Sequence, residues 1–431
     1  MMMGCMVRVA LAVGALSSMG AALDNGLASS PPMGWSTWNT FARSINASIF
    51  YETMDAMVDN GMQAAGYEYI NIDGGWWEGS DTGVVVRNAT GYPLVHSEKF
   101  PDGLEPVIAA LHAKGFKYGH YTDAGEKACN LDAPMSEGYE HQDAMLFASW
   151  GIDMIKVDAC ATAETAEVLM ARWLTELNGT GRPILFSNCR NGCLNDDEGA
   201  DMQWQPWCTD TVNMWRTSHD IKATWASFLA NLDTLKGRGT YGKPGSWNDP
   251  DILEVGVGEF VWDGTDAARN ANRAHFSMWC MTSSPLLAGN DQRGAPEGLT
   301  SVLTNPKAIS INQEYAGNAG DLLTVFNSSA VSTSTSTGML EIWLKPLPND
   351  RVALALLNRE ADRTAAPASI TLELADLDPR FFGLGSTDLA LGTCVAEDVW
   401  DSTTSTVNNQ HTAEVPPSGV VLLVLSQCTA S

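Results

Sequence analysis

Between about residues 30 and 310, short apolar strand-like runs alternate with amphipathic helix-like stretches, and this alternation restricts the fold more than any other feature. Residues 104–111 carry apolar side chains at helical spacing and are followed by Gly115, whereas residues 116–121 are typical of a buried strand. Such strand–helix units, repeated roughly every 30 to 50 residues, predict a parallel sheet. The length of the region leaves room for eight units, so we predict a (β/α)8 TIM barrel over residues 28–315.

After about residue 315 the helical periodicity disappears, and short β-rich runs alternate with turns. Residues 340–344, 352–357 and 420–425 are three such runs. This texture predicts a small antiparallel β-sandwich, which we assign to a C-terminal domain over residues 316–431.

The N-terminus has the composition of a signal peptide. Arg8 precedes an apolar stretch, and small residues around Ala22 offer a cleavage site, so residues 1–22 are predicted to be a leader. Its apolar stretch is too short to span a bilayer. Four Asn-x-Ser/Thr sequons and the eight cysteines that remain once Cys5 is removed with the leader agree with this prediction. We therefore expect a secreted, or lysosomal or vacuolar, glycoprotein with disulfides.

The charge balance restricts the partners. The chain has 25 Lys and Arg against 51 Asp and Glu, a formal net charge of −26, which argues against nucleic acids and anionic membranes as partners. The 15 Trp are a high number, and Trp offers flat apolar faces on which sugar rings stack, although core packing accounts for most of them. A carbohydrate substrate is the expected ligand, and the choice between a monomer and a homodimer stays open.

A strand-like run at residues 153–160 carries unusual chemistry. Side chains alternate along a strand, so Lys156, Asp158 and Cys160 share one face. Burying a cation and a carboxylate is costly unless that face opens on a site, although a structural ion pair is the simpler explanation for a lone Lys-x-Asp.

Other strand-like runs end in a similar way. Active sites of (β/α)8 barrels form at the C-terminal ends of the strands, and here seven successive strand ends carry polar or aromatic residues. These include Trp35, Asp73, Tyr121, Asp158, Cys189, Arg216, Asp220, Trp247 and Asp251. Each residue alone could cap a helix, but the repetition indicates an active site.

The residue types suggest glycoside hydrolysis, which uses two carboxyl groups on either side of one bond. A nucleophile must stay ionised, so Asp158 beside Lys156 is the candidate. An acid/base tolerates a less charged setting, and Asp220 is the candidate. We expect Arg216 to hold the sugar or the nucleophile, and Trp35 and Trp247 to stack on the ring.

At this point a resemblance becomes specific. The chain resembles the retaining α-galactosidases and α-N-acetylgalactosaminidases of glycoside hydrolase family 27. The matching segments, in family order, are residues 31–35, 69–73, 121–125, 142–144, 147–160, 215–221 and 247–251, and the β-rich region that includes residues 415–420 resembles the C-terminal domain of the family.

The resemblance implies roles for individual residues. Asp158 would be the nucleophile and Asp220 the acid/base, and Cys129 and Cys160 would form a disulfide beside the nucleophile. The sugar subsite would be lined by Trp35, Asp73, Tyr121, Lys156, Arg216 and Asp251. No metal or other cofactor is implied.

The remaining cysteines leave the disulfide map open. In a secreted chain, a disulfide from Cys189 or Cys193 to Cys208 is favoured over a zinc site. Cys394 and Cys428 could close the C-terminal domain. Cys280 and one of the pair at 189 and 193 would then be left over.

The chain departs from the family pattern near the expected subsite. Gly74 and Gly75 stand where relatives usually have a second aspartate and a cysteine, and the usual partner of that cysteine, near Arg43, is missing too. Arg190 follows Cys189 where Glu is common, and Ile252 replaces the usual Met. Because a lost polar partner can change selectivity strongly, these positions bear on which sugar is bound.

The resulting expectation is a retaining exo-glycosidase that hydrolyses terminal α-D-galactose from oligosaccharides or glycoconjugates. Within enzymes, the alternative is a shifted sugar, either a β-L-arabinopyranoside or an α-N-acetylgalactosaminide. A sugar-binding protein without turnover is the alternative from another class, and the presence of Lys156, Asp158 and Asp220 argues against it.

Overall fold

The computed structural model describes residues 25–129, 131, 133–190, 205–327, 339–385 and 389–430. The expected leader at residues 1–22 lies outside this part of the chain. Within the described residues, no helix combines the length and apolar character needed to cross a membrane.

The N-terminal half of the fold is built on a parallel sheet of eight strands. The strands are β1 Met33–Ser36, β2 Tyr69–Asn71, β3 Lys117–Asp123, β4 Met154–Asp158, β5 Leu185–Asn188, β6 Met214–Arg216, β7 Trp247–Asp249 and β8 Leu286–Ala288. Neighbours in sequence are neighbours in the sheet from β1 to β7, and β8 pairs with β1.

The sheet closes through the segment that follows β7. The backbone N–H of Leu253 donates to the carbonyl of Leu287 (2.8 Å), and the N–H of Gly289 donates back to Leu253 (3.0 Å). These bonds join the last two strands, so the predicted (β/α)8 barrel is confirmed.

Helices cover the outside of the barrel. They are α1 Trp38–Phe41, α2 Ala47–Asp59, α3 Glu105–Ala113, α4 Glu140–Trp150, α5 Ala166–Gly179, α6 Trp207–Thr211, α7 Trp225–Asp233, α8 Asp266–Met281, α9 Glu297–Leu303 and α10 Pro306–Gln313. Several begin at a side-chain cap, since Asn46, Thr165 and Thr265 each accept a backbone N–H three residues ahead. Gly151, at φ 85°, ends α4 in the left-handed conformation that glycine tolerates best.

The C-terminal part is an antiparallel eight-stranded sheet in the order β12-β15-β14-β13-β16-β11-β10-β9. Its strands are β9 Asp321–Asn327, β10 Met339–Leu347, β11 Arg351–Asn358, β12 Ala368–Glu373, β13 Leu391–Asp398, β14 Thr404–Asn408, β15 Gln410–Val415 and β16 Gly419–Ala430. The sheet folds over its own apolar core, and the Asn358 amide donates across the fold to the Val415 carbonyl (3.0 Å). The predicted sandwich is thereby confirmed.

A disulfide between Cys394 and Cys428 joins β13 to β16, with the two Cα atoms 4.1 Å apart. This is the pairing that the sequence suggested for the C-terminal domain.

The outer face of the sandwich packs on the barrel. Trp343 and Leu422 belong to the same apolar core as Phe276 and Trp279 of α8. A buried ion pair network reinforces this contact and centres on Arg359, whose side chain is 1% exposed.

Arg359 connects the two parts of the fold. Its guanidinium donates to Asp233 of α7 (2.6 and 2.8 Å) and to Glu341 of β10 (2.8 Å), and Lys236 also pairs with Glu341 (2.7 Å). The carbonyl of Arg359 accepts the indole N–H of Trp225 (3.1 Å). The position of the sandwich against α7 therefore depends on a largely buried charge cluster, in which Nε of Arg359 has no partner among the described residues.

Replacing Arg359 with Met should lower the free energy of unfolding by about 3 kcal/mol or more, because it removes one of the two cations that pair with the buried carboxylate of Glu341. Denaturant unfolding followed by Trp fluorescence measures this. Arg269→Met, which breaks a surface pair with Asp266, is the matched control and should cost at most about 1 kcal/mol. Equal effects of the two changes would contradict a structural role for the network.

Candidate active site

A cavity of about 770 Å³ opens at the carboxyl ends of the barrel strands. It is the place where a (β/α)8 barrel normally carries its active site. The residues that line it are Trp38, Asn39, Arg43, Asp73, Gly74, Trp77, Tyr121, Cys129, Lys156, Asp158, Cys160, Cys189, Arg216, Ser218, His219, Asp220, Ile221, Lys222, Ala223, Asp251, Ile252 and Glu254.

Asp158 is the last residue of β4 and faces this cavity. One carboxylate oxygen accepts the backbone N–H of Ala159 (3.0 Å), and the other accepts the hydroxyl of Tyr121 (3.2 Å). Burial raises the pKa of Asp158, and the nearby Lys156 acts against this shift. The two hydrogen bonds fix the orientation of the carboxylate toward the cavity.

Lys156 lies on the same strand face, but its direct ion pair is with Asp73. Its Nζ is 2.6 Å from Oδ2 of Asp73 and 5.4 Å from the centre of the Tyr121 ring. Burial opposes the charge of Lys156, yet Asp73 and other nearby anions hold its pKa above the usual range. Lys156 therefore stays protonated and acts on Asp158 through space.

Asp220 enters the cavity from the loop after β6. Nη2 of Arg216 is 3.1 Å from its Oδ1, and the Asp220 side chain is 83% exposed. Partial desolvation acts to raise the pKa of Asp220, but Arg216 and then Lys156 outweigh it and lower the pKa.

The pKa directions of the two carboxyl groups are the reverse of the expectation from sequence. We expected the nucleophile beside Lys156 to be held ionised and the acid/base to have the less charged setting. In the structure Asp158 is the more buried group, whereas Asp220 is exposed and paired with Arg216. Burial and the direct cation contact, which sequence spacing does not reveal, decide the directions.

Asp251 also lines the cavity and pairs with Arg216. Its Oδ2 lies 2.9 Å from Nη2 of Arg216 and accepts the N–H of Ile221 (2.8 Å). Its φ of 87° is unusual for a residue with a side chain. The carbonyl accepts the indole N–H of Trp279 (2.8 Å), so surrounding bonds hold the strained backbone in place.

The disulfide Cys129–Cys160 lies beside the nucleophile candidate, as the resemblance implied. Under it, the buried Asp123 accepts backbone N–H groups from Gly125 (2.7 Å), Cys129 (3.1 Å) and Cys160 (3.4 Å). Burial, and secondarily the charge of Asp158, raise the pKa of Asp123 to about 7. The ligand atoms of Asp123, Cys129, Asp158 and Cys160 lie within 4.8 Å of one another, a spacing that would suit a metal ion. The disulfide occupies both sulfurs, however, so this group offers only two carboxylates.

The comparisons with known proteins agree with this geometry. The family model described as alpha galactosidase A matches residues 30–314, and the model of the alpha galactosidase C-terminal beta sandwich domain matches residues 337–425. The chain belongs to the α-galactosidase family, glycoside hydrolase family 27.

Relatives extend over almost the whole chain. Alpha-galactosidase 2 of Arabidopsis thaliana is 36% identical over 94% of this chain and 91% of its own, and the alpha-galactosidase of Cyamopsis tetragonoloba is 35% identical over 94% and 88%. A solved alpha-galactosidase of Saccharomyces cerevisiae with raffinose is 26% identical, with a TM-score of 0.78, and the match covers 94% of this chain and 99% of that one.

Two aromatic residues predicted for the sugar subsite do not line the cavity. Trp35 and Trp247 are almost fully buried, and their indole N–H groups donate to the carbonyls of Asn290 (2.7 Å) and Ala28 (2.8 Å). Trp35 packs edge-on against Phe50 of α2, on the helix side of β1.

Trp38 and Trp77 line the cavity instead. Trp38 begins α1 immediately after β1, whereas Trp247 is the first residue of β7 and so lies away from the carboxyl end of the strand. The position of each Trp relative to the carboxyl end of its strand therefore separates the indoles that line the cavity from those that do not. The other subsite residues that were predicted, namely Asp73, Tyr121, Lys156, Arg216 and Asp251, all line the cavity.

The cysteines are partly settled. Cys189 and Cys280 carry free thiols, and Sγ of Cys189 accepts a hydrogen bond from Arg216 (3.4 Å) in the cavity wall. Cys208 is disulfide-bonded, whereas Cys193 lies outside the described residues. The disulfide predicted from Cys189 or Cys193 to Cys208 therefore does not use Cys189.

The two glycines that depart from the family pattern have different surroundings. A Cβ on Gly74 would lie 3.4 Å from the ring of Trp38 and 3.7 Å from that of Trp77, so a side chain at this position would contact both indoles. Gly75, at φ 105°, lies so close to Arg43 that a Cβ would be 2.9 Å from its Cα. A close backbone contact thus stands where family members usually have a disulfide.

Glu254, which the sequence did not single out, also lines the cavity. Its side chain accepts a hydrogen bond from the amide of Asn39, whereas Oε2 has no partner within the described structure. Glu254 is 2% exposed, and burial raises its pKa to about 8. The burial of Glu254 therefore favours the neutral form of its carboxyl group over the ionised form.

The raised pKa of Glu254 predicts a pH-dependent stability. The unfolded state, with a pKa of about 4.5, releases the proton of this group before the folded state does, so this group lowers the free energy of unfolding as pH rises from about 4.5 to about 8. Glu254→Gln should remove this dependence, which amounts to at most about 1.4 kcal/mol per pH unit.

Denaturant unfolding at pH 5 and pH 7 tests this expectation. The advantage of Glu254→Gln over the native protein should grow with pH, whereas Glu373→Gln, an exposed change on β12, should keep the native pH dependence. A parallel dependence for Glu254→Gln and the native chain would show that Glu254 ionises normally.

Proposed function

We propose that this protein is a retaining α-galactosidase that removes terminal α-D-galactose from oligosaccharides or glycoconjugates. One observation carries the proposal: Asp158 and Asp220 face the same cavity at the carboxyl end of a barrel of the α-galactosidase family. The names of its relatives, which are 34% to 36% identical over most of this chain, support the choice of galactose.

Two carboxyl groups then perform two displacements. Asp158 attacks the anomeric carbon while Asp220 donates its proton to the leaving oxygen, and the bond between sugar and aglycone breaks. Asp220, now a carboxylate, takes a proton from water, and the resulting hydroxide displaces Asp158 from the sugar. Two inversions leave the configuration of the released galactose unchanged.

The buried ion pairs prepare the cavity for sugar hydroxyls. The pairs Lys156–Asp73 and Arg216–Asp251 hold donors and acceptors in fixed directions. Trp38 and Trp77 replace Trp35 and Trp247 as the candidates for stacking on the ring, since they are the indoles that reach the cavity.

Asp158→Asn should reduce turnover of p-nitrophenyl α-D-galactopyranoside by at least about 10³-fold, because an amide is a poor nucleophile. The fold should persist, since the amide oxygen can still accept the Tyr121 hydroxyl or the Ala159 N–H. Steady-state kinetics and thermal unfolding measure the two effects, with Asp55→Asn, at an exposed ion pair with Lys114, as the control.

Chemical rescue tests the role of Asp158 directly. In Asp158→Gly, added azide should restore turnover of the aryl galactoside and give the β-galactosyl azide. For the native protein, NMR of the first product should show α-galactose. A first product with the β configuration, or undiminished activity of Asp158→Asn, would refute the mechanism.

A related sugar is the second candidate, favoured by Gly74 between Trp38 and Trp77. Without the usual carboxylate there, a β-L-arabinopyranoside, which lacks the hydroxymethyl group of galactose, becomes a competing substrate. Arg190, whose guanidinium donates to the carbonyl of Ala159 (3.1 Å), stands where relatives commonly have Glu. An α-N-acetylgalactosaminide is therefore a third candidate substrate.

Measuring kcat/KM for the three p-nitrophenyl glycosides decides among these sugars. We expect the α-galactoside to give the highest value, and Gly74→Asp to widen its advantage over the β-L-arabinopyranoside about tenfold or more by supplying a polar partner for the outer hydroxyls. A native preference for either of the other two glycosides would assign the protein that specificity instead.

We also propose export to an oxidising compartment. The disulfides Cys129–Cys160 and Cys394–Cys428 support this location, because such bonds persist mainly outside the cytosol. Three of the sequon residues, Asn46, Asn88 and Asn178, are exposed and could carry glycans.

A further inference from the structure

A second cavity, of about 340 Å³, opens at the same end of the barrel. Its lining comes from Thr40 of α1, from the loop between β7 and α8, from the loop between β8 and α9, and from Leu299 of α9. Its volume lies within the range of small-molecule sites, about 300–1,000 Å³.

The two cavities share a wall. Asn39 and Glu254 face the catalytic cavity, whereas Thr40 and Gly256, their near neighbours in sequence, face the second one. The Thr40 hydroxyl donates to the carbonyl of Gly289 (2.6 Å), which anchors this part of the wall to the end of β8. The segments 39–40 and 254–256 therefore contribute to the lining of both cavities.

The second cavity has the chemistry of a sugar site. The indole of Trp262 is partly exposed, and its neighbour Val261 is 56% exposed. A Cβ on Gly298 would be 2.4 Å from the Trp262 ring, so the indole can pack closely against α9 only because residue 298 has no side chain. A fixed aromatic face of this kind suits the apolar side of a pyranose ring.

A carboxylate also lines the second cavity. Asp291 lines the cavity, and Arg293 holds its carboxylate in place through two hydrogen bonds (2.9 and 2.8 Å). Carboxylate oxygens held in this way accept hydrogen bonds from sugar hydroxyls.

The concave shape is built into the backbone. Gly256 and Gly258 have φ values of 86° and 53°, and a Cβ at either position would lie within 2.6 Å of a neighbouring side chain, Leu299 or Ala223. Ala223 itself lines the catalytic cavity. The tight packing of the loop at residues 256–258 thus fixes the shape of the second cavity, and it also fixes the position of this loop next to the lining of the catalytic cavity.

We propose that the second cavity is a remote subsite that binds a hexosyl unit of the substrate chain, beyond the sugar that is cleaved. This inference rests on the proposed function, and it extends that function from small galactosides to oligosaccharides long enough to reach from one cavity to the other. The occupant is a neutral pyranose, recognised by stacking on Trp262 and by hydrogen bonds to Asp291.

The test compares substrates of different length. Trp262→Ala should lower kcat/KM for α-galactosides with several further sugar units about tenfold, while p-nitrophenyl α-D-galactopyranoside, which ends within the catalytic cavity, changes less than about twofold. Trp262→Phe retains an aromatic face and should stay close to the native ratio of the two values. Val168→Ala, an exposed apolar change on α5, is the remote control.

An unchanged ratio in Trp262→Ala would overturn the remote subsite, as would equal losses on the short and long substrates. If thermal unfolding shows that Trp262→Ala does not fold, Val261→Glu places a charge at an exposed position of the same cavity and should change the ratio in the same direction; an unchanged ratio there would also overturn it.

The two proposals fail in different ways. If the native protein hydrolyses none of the galactosides, the proposed function fails. The subsite is then tested by calorimetry, which compares the single variant Asp158→Asn with the double variant that also carries Trp262→Ala. A weaker affinity of the double variant for the longer oligosaccharides supports the remote subsite. Equal affinity of the two variants refutes it.

Discussion

The catalytic cavity depends on two buried cation–carboxylate pairs at its floor. Lys156 of β4 lies 2.6 Å from Asp73, which follows β2, and Arg216 of β6 lies 2.9 Å from Asp251, which follows β7. Such pairs are tolerated in a barrel interior when both partners are present, because the removal of one partner leaves an uncompensated buried charge. The sheet topology, which brings these distant segments together, is therefore a condition for the site.

The electrostatics of the two carboxyl groups have a simple physical reading. Asp158 is desolvated, whereas Asp220 remains largely in water beside Arg216. A sugar that binds over Asp220 removes water from it, which favours the protonated form that a general acid requires. The same sugar adds no charge, so Lys156 and Arg216 remain the cations that favour an ionised Asp158.

Much of this arrangement could be predicted from sequence, because parallel strands place their carboxyl ends together and the alternation of strands and helices was regular. Asp73, Tyr121, Lys156, Asp158, Arg216, Asp220 and Asp251 were found in this way, and all line the cavity. Trp35 failed because a single residue of offset along β1 exchanges the barrel side for the helix side. Trp247 failed because it lies at the wrong end of β7.

Other features had no local signal in the sequence. Glu254 is a carboxyl group in an apolar run, and only the packed structure shows that it lines the cavity and that one of its buried oxygens has no protein partner. The second cavity depends on the close approach of the glycine loop at 256–258 to Leu299 and Ala223, which are distant in sequence. The pKa directions likewise follow from burial, which a single sequence does not report.

The closure of the barrel has a further consequence. Leu253, whose backbone hydrogen bonds join the segment after β7 to β8, follows Asp251 by two residues. The strained backbone at Asp251 therefore also determines where the barrel closes. Mechanical integrity and ligand recognition are thus encoded in one short stretch of backbone. A substitution that relaxes the backbone at Asp251 would also weaken the closure of the barrel. For this reason the sugar selectivity of such a barrel can change by substitution more readily at Gly74 than at Asp251.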